Sequence, residues 1–180
     1  MPGKETDAFW LFGYGSLIWK PDLPFVAQTP ARLSGWARRF WQGSHDHRGV
    51  PDAPGRVVTL VETPDEDCDG VAFQVPGAAA ASVLAKLDHR EKNGYVRHRQ
   101  ALVTASGERL DALVYVAEPG NFAWLGPAPL DAIALQIARA TGPSGSNREY
   151  LLELAAALRG LATDDHHVNA LEALLPSANA

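Results

Sequence analysis

The sequence predicts an α+β fold, in which a small, curved, barrel-like sheet of five or six short strands packs against helices. Two observations carry this prediction. Segments rich in β-branched and aromatic residues fill most of residues 9–117, with a single helical stretch among them. Beyond Pro127, apolar residues recur with helical spacing. Strands followed by helices, rather than regular alternation of the two, are typical of α+β proteins.

The predicted strands are β-rich runs bounded by turn signals. They are residues 9–12, 33–43, 56–62, 70–75, 96–104 and 109–117. Ser106-Gly107 forms the turn between the last two strands. The segment TPDEDCD, residues 63–69, contains four acidic residues, and we expect it to be a turn that separates the third strand from the fourth.

The helix that interrupts the strands is predicted over residues 78–90, where Val83, Leu84 and Leu87 share one face. Three helices follow at the C-terminal end. Their apolar stripes are Leu130, Ile133, Ala134 and Ile137 in the first helix, Leu151, Leu154, Ala155 and Leu158 in the second, and a weaker stripe that ends near Leu175 in the third.

Length and charge limit what the chain can be. With 180 residues, we expect one domain over residues 8–176 with its own core. The formal net charge of -5 argues against binding to nucleic acid, whose phosphates attract basic surfaces. No apolar run reaches the roughly 18 residues that a membrane helix needs, and no secretory signal is recognisable at the start. We therefore expect no membrane association.

Cys68 is the single cysteine of the sequence. An intramolecular disulfide and a cysteine-rich zinc site are therefore excluded. Because disulfides are rare in the reducing cytosol, this cysteine usage is typical of a cytoplasmic protein.

The first candidate site is the GYGS stretch, Gly13 to Ser16, where the first predicted strand ends. One interpretation is a plain β-turn. The stretch lacks the longer glycine patterns of phosphate-binding loops, and Ser16 is not in the G-x-S-x-G setting of a hydrolase nucleophile. The remaining interpretation is a nest of backbone N–H groups that binds a carboxylate or a carbonyl oxygen.

The second candidate is REKNGY, Arg90 to Tyr95, at a predicted junction of helix and strand. Asn93-Gly94 is a good helix stop because both residues tolerate a left-handed backbone. Charged residues at a helix end are most often solvated. Alternatively, the Glu91 carboxylate lies at the mouth of a pocket, where Arg90 or Lys92 orients it.

Two further segments carry polar groups. In SHDHRG, His45 and His47 with Asp46 between them are a weak metal signal, whereas Arg48 in a glycine- and proline-rich loop suits a carboxylate ligand. In GPSGSNREYL, Ser146 or Asn147 is a natural helix N-cap. A helix start attracts anions, and the Tyr150 hydroxyl could reach one.

Taken together, five segments resemble the ChaC family, the glutathione-specific γ-glutamylcyclotransferases, in their order along the chain. They are FGYGSLIW, RRFWQGSHDHRGVPDAPGRVVTLVE, LDHREKNGY, LGPAPL and GPSGSNREYL. The resemblance extends from about Trp10 to the last helix. It implies the γ-glutamylcyclotransferase-like fold, a small mixed β-barrel flanked by helices, with a helical C-terminal part.

The resemblance also implies a reaction and its residues. Glutathione is the small-molecule partner and is cleaved to 5-oxo-L-proline and L-cysteinylglycine, with neither a metal nor a cofactor. Glu91 falls on the catalytic glutamate of the family. The residues that fall on its substrate-binding positions are Gly13, Tyr14, Gly15, Ser16, Leu17 and Ile18 in one loop, with Ser44, Arg48 and Tyr150 elsewhere. We favour a monomer.

The chemistry needs few catalytic groups, because the nucleophile of a γ-glutamyl compound is already tethered to it. The α-amine closes a five-membered ring onto the γ-carbonyl carbon, so positioning and proton transfer remain. Three alternatives stay open from the residues alone. They are a cyclotransferase for other γ-glutamyl amino acids or amines, a γ-glutamyl-binding domain without activity, and a serine hydrolase that uses Ser16.

Overall fold

The computed structural model describes residues 7–178, and its chain divides into two compact units. The first unit contains the chain up to Ala37 together with Glu62–Val116. The second unit contains Arg38–Val61 and the chain from Ala117 onward. That residues 8–176 act as one domain remains a prediction.

Five strands form a closed barrel in the part of the chain that the structure describes. They are β1 (Phe9–Gly13), β2 (Ala27–Ser44), β3 (Gly55–Val75), β4 (Tyr95–Thr104) and β5 (Arg109–Ala117), in the spatial order β1-β3-β2-β4-β5. The helices are α1 (Gly77–Arg90), α2 (Leu130–Arg139), α3 (Asn147–Gly160) and α4 (His166–Leu174). Two-residue strands, β6 (Thr141–Gly142) and β7 (Gly145–Ser146), pair just before α3.

The barrel is mixed, which confirms the predicted fold class. Strand β1 pairs antiparallel with β3, with Phe12 opposite Ala72, and parallel with β5, with Trp10 opposite Ala112. Strand β2 pairs antiparallel with β4. Each predicted helix is present. None of the helices within residues 7–178 is long and apolar enough to cross a membrane.

The predicted acidic turn at residues 63–69 is wrong, because β3 continues through it as one strand of 21 residues. The reason lies on the neighbouring strand β2. The Arg32 guanidinium donates to both carboxylate oxygens of Asp69, at 2.7 and 3.2 Å, and its Nη1 lies 3.6 Å from Asp67. These contacts hold the acidic side chains along an extended strand. Cys68, between the two aspartates, points inward and is only 1% exposed.

Helix α1 covers the core of the first unit. Val83 and Leu87 on its predicted apolar face are buried against Leu11 of β1, Val75 of β3 and Tyr115 of β5. The opposite face of α1 is exposed. This packing holds the C-terminal end of α1 beside the strand that leads into the Gly13–Ile18 turn.

Arg56 organises the core of the second unit. Its guanidinium is buried and donates to the carbonyl oxygens of Phe40 and Gly126 at 2.9 and 2.8 Å, and to Gln136 of α2 at 2.7 Å. The Asn147 side chain bonds both the N–H and the carbonyl oxygen of Arg56, each at 2.7 Å. The start of α3 is therefore joined to β3 by polar contacts.

His167 of α4 lies in the same unit and accepts a hydrogen bond at Nε2 from the Phe40 N–H, at 3.0 Å. Burial, with a contribution from the nearby Arg39 charge, lowers the pKa of His167 from 6.5 to about 4. The unfolded chain therefore binds a proton that the folded chain rejects between these two pH values. By linkage, the free energy of unfolding therefore decreases as the pH falls from 6.5 to about 4.

We therefore predict that the free energy of unfolding decreases less steeply between about pH 6.5 and pH 4 in His167→Gln than in the unsubstituted protein. The glutamine oxygen can still accept from the Phe40 N–H, but it does not bind a proton. Urea unfolding at several pH values measures the difference. The matched control is His166→Gln, because the His166 side chain is 92% exposed. Equal pH slopes for His167→Gln and the unsubstituted chain would contradict the prediction.

Candidate active site

The turn after β1 is closely packed. A side chain at Gly13 would put its Cβ 2.8 Å from Leu17 Cβ and 3.1 Å from the Phe73 ring, so glycine is required there. Ser16–Ile18 then forms a short 3-10 turn, in which the Ile18 N–H donates to the Gly15 oxygen at 3.0 Å. The N–H groups at the start of a helical turn have no partner within it, so this backbone is suited to receive an acceptor.

Glu91 is the C-cap of α1 and is half-buried. Its backbone is held on both sides, because its N–H donates to the Leu87 oxygen at 2.8 Å and its carbonyl oxygen accepts from Tyr95 at 3.2 Å. Its φ of -94° and ψ of 12° lie in the bridge region of backbone space, where many active-site residues are found. Gly94, with φ of 102°, then directs the chain into β4.

Arg90 connects this helix end to the turn. Its Nη2 donates to the Ser16 hydroxyl oxygen at 2.7 Å. The structure therefore brings the Gly13–Ile18 turn and the end of α1 together. The bond from Arg90 argues against the serine-hydrolase alternative. A guanidinium is a hydrogen-bond donor and not the general base that a nucleophilic Ser16 would need.

Tyr14 ties the same turn to β5. Its side chain is buried, and its hydroxyl donates to the backbone oxygen of Tyr115 at 2.5 Å. The Tyr115 hydroxyl in turn donates to Asp88 Oδ1 at 2.7 Å. Arg97 of β4 forms a bidentate ion pair with the same carboxylate: its Nε donates to Oδ1 at 2.8 Å, and its Nη2 donates to Oδ2. The Gly13–Ile18 turn, α1, β4 and β5 are therefore joined by one network of hydrogen bonds.

Electrostatics fix the protonation states in this network. Burial raises the pKa of Tyr115 well above its ordinary value, and the hydrogen bond to Asp88 and the charges of Asp88 and Glu91 raise it further. The hydrogen bonds from Arg97 and then Tyr115 lower the pKa of Asp88. At neutral pH the network therefore contains a neutral phenol that donates to an ionised carboxylate.

A cavity of about 150 Å³ lies in the same unit. Its lining residues are Pro21, Asp22, Leu23, Pro24, Ser82, Val83, Lys86, Leu87 and Arg90. Lys86 Nζ donates to the backbone oxygen and the carboxylate of Asp22, at 3.0 and 3.1 Å. Arg90 lines this cavity and also bonds Ser16 of the turn.

The other three predicted substrate residues form a cluster in the second unit. The Ser44 hydroxyl accepts from the Arg48 N–H at 2.8 Å, and Arg48 Nη1 donates to the Ser146 oxygen and to Glu149 Oε2, both at 3.1 Å. The Arg48 guanidinium lies 5.7 Å from the centre of the Tyr150 ring. Ser146 is the N-cap of α3, as predicted. The substrate roles of Ser44, Arg48 and Tyr150 remain predictions.

The metal interpretation of SHDHRG gains nothing from the geometry. His47 Nδ1 lies 3.2 Å from the Ser144 hydroxyl, and the His45 ring stacks on Phe122. Within residues 7–178, no three His, Cys, Asp or Glu side chains are grouped as they would be around a metal ion.

Sequence reasoning did not identify Asp88, Arg97 and Tyr115 as site residues. One signal was available for Asp88, since residues three apart on a helix lie on the same side and Asp88 precedes Glu91 by three. Tyr115 gave no such signal, because an aromatic residue in an apolar strand is typical of a core.

Comparison with known proteins identifies the family. The model of the family described as ChaC-like protein matches residues 9–177. γ-Glutamylcyclotransferase 2-3 of Arabidopsis thaliana is 45% identical over 172 residues, which cover 91% of this chain and 86% of the relative. The human glutathione-specific γ-glutamylcyclotransferase 1 is 43% identical over 173 residues, with coverage of 93% and 78%.

The fold agrees with a solved relative. The crystal structure of a γ-glutamyl cyclotransferase specific to glutathione from yeast superimposes with a TM-score of 0.88 at 34% sequence identity. The match covers 94% of this chain and 96% of the yeast chain. The expected resemblance is thus confirmed in sequence and in fold, and the chain belongs to the ChaC family.

Proposed function

We propose that this chain is a glutathione-specific γ-glutamylcyclotransferase, which degrades reduced glutathione to 5-oxo-L-proline and L-cysteinylglycine. The observation that carries the proposal is the position of Glu91, half-buried at the end of α1, beside an arginine that bonds the turn after β1. Relatives that cover most of this chain carry the same name for this activity.

The proposed reaction is an intramolecular transfer. The α-nitrogen of the γ-glutamyl group attacks its own γ-carbonyl carbon, the new C–N bond closes the ring, and the C–N bond to the cysteinyl nitrogen breaks. The α-amine is an ammonium group at neutral pH, so it must lose a proton before it attacks. Glu91 takes this proton and delivers it to the departing cysteinyl nitrogen. No water is consumed.

The Gly13–Ile18 turn has the second role in this proposal. Its main-chain N–H groups hold the γ-glutamyl part of the substrate and stabilise the negative charge that develops on the γ-carbonyl oxygen. Glycine at position 13 supports this role indirectly, because it lets Leu17 and Phe73 pack closely against the start of the turn and so fixes its backbone. Arg90 steadies the turn from the side of Glu91 through its bond to Ser16.

The proposal also includes a cellular location, an oligomeric state and the metal requirement. The cytoplasm is the proposed location, since reduced glutathione is the form of the substrate found in a reducing compartment. We propose a monomer and no requirement for a metal ion.

Glu91→Gln is expected to fold and to bind glutathione but to lose turnover by about 10²–10⁴-fold, the usual contribution of a general acid and base. The amide keeps the size of the carboxylate and cannot take the proton. Release of 5-oxoproline, followed by mass spectrometry, measures turnover, and calorimetry measures binding. Glu153→Gln, an exposed glutamate on α3, is the matched control and should retain full activity. Near-native turnover in Glu91→Gln would overturn the assignment.

Product analysis separates the proposal from its alternatives. Incubation with reduced glutathione should release 5-oxoproline and cysteinylglycine in equal amounts, whereas γ-glutamylalanine and a γ-glutamyl amine should release little 5-oxoproline. Comparable 5-oxoproline from all three would indicate a general γ-glutamyl cyclotransferase. Free glutamate would indicate a hydrolase, and no product from any compound would indicate a binding domain.

A further inference from the structure

We propose that the Tyr115 hydroxyl oxygen is a second acceptor for the α-ammonium group of the substrate, beside Glu91, and that Asp88 is a positioning residue that fixes the direction of this hydroxyl. The inference rests on the proposed function. It uses the Arg97–Asp88–Tyr115 network, which has no role in the reaction as described above.

The hydrogen bonds determine which way the hydroxyl points. A phenol has one proton to donate and two lone pairs with which to accept. In this structure the proton is donated to Asp88 Oδ1, at 2.7 Å. Asp88 can only accept while it is ionised, and the fork of Arg97 keeps it in that state. The lone pairs of the Tyr115 oxygen therefore point away from Asp88, and this oxygen is available only as an acceptor.

Three observations support a position of that acceptor beside Glu91. Asp88 and Glu91 are one helical turn apart at the end of α1. The Glu91 charge makes a small contribution to the raised pKa of Tyr115, in keeping with its place one turn beyond Asp88, which accepts from the phenol at 2.7 Å. The backbone of Tyr115 is bonded by Tyr14 of the Gly13–Ile18 turn. An acceptor beside a carboxylate, with its proton held elsewhere, suits a cationic donor such as an ammonium group.

The fate of the three hydrogens on the α-ammonium group indicates what this contact does in the reaction. The α-ammonium carries three hydrogens, of which one stays on the ring nitrogen of 5-oxoproline. The other two pass to the leaving nitrogen, which departs as the ammonium group of cysteinylglycine. Glu91 handles the hydrogens that move, and Tyr115 holds the one that stays. With that N–H fixed, the lone pair freed by deprotonation is directed at the γ-carbonyl carbon.

Tyr115→Phe tests the contact, because it keeps the ring and removes only the oxygen. We expect kcat/KM for glutathione to fall by about 10- to 100-fold, as for the loss of one hydrogen bond to a charged group. The probe that separates this role from a structural one is glutaryl-cysteinylglycine, which is glutathione without its α-amino group. Its inhibition constant should change by less than about twofold, since it has no ammonium to donate.

Two results would overturn the contact. One is an equal weakening of glutathione and of the glutaryl compound, which would mean that the substitution damages the site in general. The other is an unchanged kcat/KM for glutathione. Both differ from failure of the proposed function itself, in which the unsubstituted protein would release no 5-oxoproline.

Asp88→Asn tests the positioning role. The asparagine amide can donate to the Tyr115 oxygen, so that the phenol proton turns toward the substrate ammonium and repels it. We expect Asp88→Asn to lose at least as much kcat/KM as Tyr115→Phe, and to cost nothing more when it is added to Tyr115→Phe, since groups that act through one contact are not additive.

The matched control is Asp111→Asn. Asp111 of β5 pairs with Arg99 of β4 in the same kind of ion pair, at 2.8 Å, but about 70% exposed on both sides. Its substitution should leave activity unchanged. Circular dichroism at the assay temperature verifies that each variant is folded. Additive losses in the Asp88→Asn/Tyr115→Phe pair would contradict a role for Asp88 through Tyr115.

Discussion

The candidate site depends on a close approach of two backbones at the end of β1. A Cβ on Gly70 of β3 would lie 2.3 Å from the Gly13 carbonyl oxygen, and a Cβ on Gly13 would meet Leu17. Only glycine at position 70 permits this approach, because the contact is with main chain, which cannot move aside, and glycine at position 13 separately leaves room for the Leu17 and Phe73 side chains. The approach fixes where the chain leaves the barrel, and so fixes Ser16 where Arg90 reaches it.

The C-terminal end of α1 uses three charged residues for three different contacts. Asp88 engages β4 and β5 through Arg97 and Tyr115, Arg90 engages the turn, and Glu91 caps the helix with its backbone bonded on both sides. A helix end is solvated in most proteins, and its charges then contribute little. Here the charged side chains of Asp88 and Arg90 each have partners of definite geometry, and the backbone of Glu91 is bonded on both sides, so the helix end holds the residue that carries the proposed catalytic carboxylate.

Local sequence patterns were sufficient where short-range physics decides the structure. The apolar face of α1 with Val83 and Leu87, and the N-cap at Ser146, were predictable because each involves residues within a few positions of one another. The course of β3 was not, because the charges of residues 65–69 favour a turn until Arg32 on another strand neutralises two of them. Long-range pairing overrode local propensity.

The candidate site likewise contains some residues that local sequence patterns identify and others that only long-range contacts reveal. Glu91 and the glycine turn stand in compact motifs that could be compared with a family, whereas the phenol of Tyr115 acquires its role from Asp88, 27 residues away along the chain. Nothing near Tyr115 in the sequence distinguishes it from its apolar neighbours on β5. A hydrogen bond between distant residues becomes visible only when the strands and helix are assembled.

The burial of Cys68 has a consequence for the proposed activity on a thiol compound. Its sulfur is the single thiol of the chain, lies on the inner face of β3 and is 1% exposed. Thiol–disulfide exchange requires a thiolate that the partner disulfide can reach. Glutathione disulfide therefore cannot form a mixed disulfide with Cys68 in the folded chain, so oxidation of glutathione would remove the proposed substrate without modifying this thiol.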